Sequence, residues 1–100
     1  MDRFALLGLL EAKAGKEQEV EGFLKSALPL AMQETGTTSW YAVKMGQGKF
    51  AIFDTFPDEA GRDAHLNGEI AKALMAKASE LLATPPMIEK LDILALKARG

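Results

Sequence analysis

The chain contains no cysteine. Disulfides, iron–sulfur clusters and thiolate zinc sites are therefore excluded together. It contains one histidine, His65. With no thiolate beside it no metal site is expected, since carboxylates alone suit only a hard cation. A basic stretch is also lacking: 12 Lys and Arg are scattered among 14 Asp and Glu, giving a net charge of −2. Nothing here matches the electrostatic footprint of a nucleic-acid partner, and none is expected. The apolar run Phe4–Leu10 is far shorter than the ~20 residues of a helical membrane span. It has no small-residue cleavage site and leads into Glu11-Ala12-Lys13, so it does not read as a signal peptide. No membrane partner is expected, and the cytoplasm is the expected compartment. Linkers and low-complexity segments are missing too, so residues 1–100 read as one domain.

What the chain does have is apolar residues, 48% of the total. A domain of this size buries less than ~70% of its unfolded surface, which leaves apolar area for a partner. Arg3–Ala14 reads as a strand that is greasy on both parities: Phe4, Leu6, Gly8, Leu10 and Ala12 on one, Ala5, Leu7 and Leu9 on the other. Both faces should then be covered. From Lys16, the residues Val20, Leu24, Ala27 and Ala31 form one helix face. Pro29 inside that pattern should kink or loosen the helix, and Thr35-Gly36 ends it.

Thr37–Met45 and Lys49–Phe56 are β-rich runs joined by Gly46-Gln47-Gly48, a hairpin signal. Pro57-Asp58-Glu59 predicts a helix start, with a break permitted at Asn67-Gly68. A second stretch, Glu69–Ala83, buries Ile70, Leu74, Ala78 and Leu81. Thr84-Pro85-Pro86 stops it, and Met87–Lys97 reads as a last strand. Met32, Met45, Met75 and Met87 read as core filler.

The order β-α-β-β-α-β predicts an α+β, ferredoxin-like domain: a four-stranded antiparallel sheet with helices on one face. Helices cover only that face, yet several strands are apolar on both. Two copies packed sheet to sheet as a dimeric α/β barrel would solve this, so a homodimer is expected.

The stretch WYAVKMGQGKFAIFDTFPDEAGRDAHLNG resembles the core of the antibiotic-biosynthesis-monooxygenase-type domains, a dimeric α/β-barrel family that includes quinol monooxygenase-like proteins. The family's strand, acid, aromatic and short-helix places are filled by Phe50, Ile52, Asp54, Phe56, Ala60, Ala64, His65 and Leu66. The preceding AKAGKEQEVEGFLKSALPLAMQETGTTSW is similar to the family's opening, where "e.Gt..w" enters the second strand. The resemblance covers essentially the whole chain. It implies oxidation of a quinol-like or polycyclic aromatic compound by dioxygen without flavin or metal. It also includes a haem-degrading type, which uses an Asn on the first strand and a Trp at the end of the third. This chain has no Asn in Arg3–Ala14 and has Phe56 at the second place, which disfavours that branch.

Cofactor-free oxygenation needs a base, an apolar pocket and groups that hold an oxyanion. His65 is the side chain suited to the base role without a large pKa shift, and Asp54 would orient it. Trp40 and Tyr41, with Phe50, Ile52 and Phe56, would form the substrate wall. Arg62 or Lys44 would stabilise an anion. Lys44, Lys49 and Arg62 are most simply solvated, and Asp54, in an apolar strand, needs a partner such as Lys90 or Arg62. A three-residue hairpin loop would set Trp40 opposite Asp54, whereas a two-residue loop would set Tyr41 there. Tyr41 is preferred for its hydroxyl. Two further readings remain: a dimer that binds a lipophilic aromatic ligand without reaction, and a barrel filled by its own side chains.

Overall fold

The computed structural model describes residues 1–98. The elements are β1 (Phe4–Glu11), α1 (Glu17–Ser26), α2 (Leu28–Gln33), β2 (Ser39–Gly46), β3 (Lys49–Phe56), α3 (Glu59–Leu66), α4 (Glu69–Leu81) and β4 (Met87–Asp92). The four strands form an antiparallel sheet in the order β2-β3-β1-β4. The expected α+β, ferredoxin-like arrangement is present. Among the described residues no helix is long and apolar enough to cross a membrane.

Period-2 alternation divides the sheet. Leu6, Leu10, Phe50, Ile52 and Phe56 project toward the helices and are buried, with Val20 and Leu24 of α1 and Leu74 and Leu81 of α4 packed onto them. The opposite face carries Leu7, Leu9, Tyr41, Val43, Phe53 and Met87. On that face Tyr41 is 57% exposed, so a broad apolar surface meets solvent.

Three expectations are corrected. Pro29 does not kink one helix: it sits in the first turn of α2, after a break at Ala27. A first-turn proline costs no hydrogen bond, because that N–H has no helical acceptor. The last strand does not reach Lys97. Ile93 N–H donates to the Arg3 carbonyl at 2.9 Å, and beyond it the chain has passed the end of β1. Strand-forming side chains do not make a strand without a partner backbone. Finally, Met32, Met45, Met75 and Met87 are all more than half exposed. Met75 lies next to, and not on, the buried stripe of α4, and Met87 projects from the open side of the sheet.

Hairpin register decides which aromatic faces the helices. The turn is the two residues Gln47-Gly48, closed by Gly46 opposite Lys49, and Gly48 has φ +78°. The ladder then slips between Lys44 and Gly46, leaving Met45 as an extra residue. That bulge restores the pairing a three-residue loop would give: Trp40 opposite Asp54, and Tyr41 opposite Phe53. Tyr41 is thus on the open face, and Trp40 is the aromatic that shares a side with Asp54.

Candidate active site

Asp54 stands on β3 between Ile52 and Phe56, 1% exposed. Asp58 caps α3 by accepting from Gly61 N–H at 2.8 Å, which sets the helix start and aims His65 down at the sheet. His65 Nε2 lies 2.8 Å from Asp54 Oδ2. This is an ion-pair contact with the N–H off-line, since that oxygen has no well-directed hydrogen-bond donor. On the other edge of the ring, Nδ1 meets Glu34 Oε1 at 2.6 Å. The Phe56 ring packs beside the imidazole, with centroids 5.6 Å apart.

Glu34 is the residue that sequence reasoning passed over. It follows α2, in extended conformation, and Thr37 Oγ1 donates to its Oε1 at 2.8 Å. A contact of bare backbones brings it to His65. A Cβ on Gly61 would lie 2.5 Å from the Gly36 carbonyl oxygen, and one on Gly36 would lie 2.9 Å from Gly61 Cα. Only glycines let the α2–β2 loop lie this close on α3. The signal was in the ETGTTSW stretch, where the acid stands two residues before the glycine.

An imidazole with an acid at each nitrogen is an imidazolium. Burial of the ring works against the charge, but the contacts with Asp54 and then Glu34 outweigh it and push the His65 pKa up to about 9. At neutral pH the ring already holds both protons, so it does not accept another. Two acids on the ring weigh against the base role expected of His65. The free acceptor is Asp54 Oδ1, which is buried and has no hydrogen-bond partner.

Arg62 does not pair with Asp54, and neither does Lys90. The Arg62 side chain is buried, not solvated: Nη1 donates to the Leu91 carbonyl at 3.2 Å and the guanidinium lies 5.1 Å over the Phe4 ring. It braces the β1–β4 end of the sheet.

Two spaces adjoin Asp54 and its cross-strand neighbour. A cavity of about 50 Å3 lies between sheet and helices, lined by Gly8, Ile52, Asp54, His65, Ile70 and Leu74 among others. A groove of about 550 Å3 runs between α1 and β2, lined by Leu24, Leu28, Trp40, Ala42, Lys44 and Phe50 among others. Ile52, Asp54 and His65 therefore share the small cavity, Trp40 and Phe50 share the groove, and Phe56 backs the imidazole. Tyr41 and Arg62 belong to neither.

The whole chain aligns with the NE2512 protein of unknown function from Nitrosomonas europaea, at 56% identity, TM-score 0.97 and 97% coverage of that protein. The Rv0793 structure from Mycobacterium tuberculosis is 16% identical at TM-score 0.84, covering 96% of this chain and 99% of that one. A "putative antibiotic biosynthesis monooxygenase" from Nitrosomonas europaea is 11% identical at TM-score 0.81, covering 92% and 90%. No family model matches the chain, and no curated protein does. The chain belongs to the family of the NE2512 protein and has the fold of the antibiotic biosynthesis monooxygenase domains.

Proposed function

We propose that this protein is a homodimeric, cofactor-independent monooxygenase that oxidises a small quinol-like or polycyclic aromatic compound with dioxygen. The observation that carries this reading is Asp54 Oδ1, a buried carboxylate oxygen with no partner, on the same sheet face as Trp40 and at the wall of a small cavity. The groove has the volume of a ligand site and an aromatic wall for planar rings. The cavity of about 50 Å3 has room for dioxygen or a water, not for the aromatic compound.

In this scheme the substrate lies in the groove against Trp40. Asp54 Oδ1 takes the phenolic proton as general base through a water in the small cavity, and His65, fixed by Glu34, holds the other carboxylate oxygen in place. The organic anion then gives electrons to dioxygen. One oxygen atom enters the product and the other leaves as water. The apolar open face of the sheet, with Leu7, Phe53 and Val43, is covered by a second copy.

Oxygen uptake with a quinol in chelator-treated buffer tests the chemistry. Asp54→Asn, with its fold checked by circular dichroism, should lower the rate by at least ~100-fold, the scale of a lost general base. Equal rates for the variant and the parent would remove the reading. A second reading, aromatic-ligand binding without reaction, is favoured by the small volume beside Asp54. Its mark is quenching of the single tryptophan, Trp40, by quinols that cause no oxygen uptake.

A further inference from the structure

β2 carries one charge, Lys44, and it stands on the side of the strand where an apolar residue belongs. Alternation places Trp40, Ala42 and Lys44 toward the helices, and Tyr41 and Val43 on the open side. In an antiparallel sheet the helix-covered side normally takes the apolar set. Lys44 therefore lines the groove of about 550 Å3 between α1 and β2, together with Leu24, Leu28, Trp40 and Phe50.

The groove holds two cations and one acid. Lys44 Nζ lies 3.4 Å from Glu21 Oε1, and Lys25 Nζ lies 3.1 Å from Glu21 Oε2. Among the described residues lining the groove, Glu21 is the one carboxylate. The other acids of α1 are engaged elsewhere: Glu17 accepts from the Gly15 N–H at 2.9 Å, and Glu19 meets Lys16 at 3.4 Å. One positive charge is thus in excess beside an apolar, aromatic wall. The Glu21 side chain is 38% exposed, so it can turn to water when another anion takes its place. Exposed ion pairs are weak. A carboxylate held in the groove by its own buried rings competes with Glu21 at a high effective concentration.

The charged end and the reacting end of the groove are separate. Lys44 pairs with Phe50, and Trp40 with Asp54, four residues apart along each strand or ~13 Å. Lys44 is too far along β2 to hold an oxyanion formed beside Asp54. A body of two or three fused rings, met by the flexible Lys44 stem, bridges the two ends. We infer that the groove selects an aromatic acid, a planar fused-ring compound whose carboxylate replaces Glu21 between Lys44 and Lys25 while its hydroxylated ring lies against Trp40. This rests on the reading that the groove holds the aromatic substrate, and it names the class of compound that fits.

Calorimetric titration at neutral pH compares 6-hydroxy-2-naphthoate with 2-naphthol, the same rings without the carboxylate. The parent protein should bind the acid at least ~5-fold more tightly, the scale of one or two exposed ion pairs. Lys44→Gln should bring that ratio below ~2-fold, and Lys25→Gln should lower it as well. Glu21→Gln, which leaves both lysines without their acid, should raise it. Sodium chloride at ~1 M should remove most of the preference, because the screening length falls to about 3 Å. Circular dichroism checks the fold of each variant. Equal affinities in the parent, no binding of either compound, or a ratio that Lys44→Gln leaves unchanged overturns the inference. A Glu21→Gln ratio at or below that of the parent does the same. Binding is read here without turnover, so the oxidation reading is judged apart, by oxygen uptake with a quinol. Uptake without a preference for the acid removes this inference alone, and a preference without uptake removes the oxidation alone.

Discussion

Replacing His65 with Gln removes the one cation between Asp54 and Glu34. The His65 pKa stands at about 9 in the folded protein against an ordinary 6.5. A raised pKa means that the folded state holds the proton more tightly than the unfolded chain does. Stability from this source is therefore fully present below pH 6.5 and is lost as pH rises through about 9. At 1.36 kcal/mol per pKa unit, the amount at stake is about 3 kcal/mol, a large share of the ~5–15 kcal/mol that holds a small domain together. Urea unfolding of the parent and His65→Gln at intervals from pH 6 to pH 10 measures it. The stability gap between the two proteins should be widest near pH 6 and narrow by about 3 kcal/mol toward pH 10. Because the chain has a single histidine, its ring proton resonance reports the same titration without assignment. A gap that stays constant with pH, or a ring that titrates at 6.5 or lower, would refute the imidazolium bridge.

The loop that delivers Glu34 makes separate predictions. Glu34→Gln should move the His65 titration midpoint downward, because one of the two acids on the ring is gone. Gly61→Ala forces a methyl group to 2.5 Å from the Gly36 carbonyl, and should destabilise the fold by ~1–3 kcal/mol in urea titrations while shifting the same midpoint downward. Asp58→Ala removes the cap on Gly61 N–H and should cost ~1 kcal/mol. Phe50→Ala, at a site 2% exposed, should cost ~3–5 kcal/mol and loosen the floor of the groove.

Residue order alone determined the element sequence, because apolar periodicity is a local property that survives packing. The alternation through Phe50, Ile52 and Phe56, and the stripe from Val20 to Ala31, mark which side of each element seeks the core. The same patterns marked a sheet greasy on both sides, and Asp54 as a carboxylate needing a partner. Tertiary structure decided the rest, for reasons outside any local window. A single extra residue at Met45 reset the β2–β3 register and exchanged Tyr41 for Trp40, since a one-residue slip turns every side chain over. The end of β4 depended on where its neighbour β1 stops, because a strand is defined by its partner's hydrogen bonds. Asp54 found His65 instead of Lys90 or Arg62, and Glu34 reached the same ring across 31 positions of chain. That meeting sets a carboxylate against each nitrogen of the ring. It required two glycine backbones to touch, and a distance between Gly36 and Gly61 is created only when the chain folds.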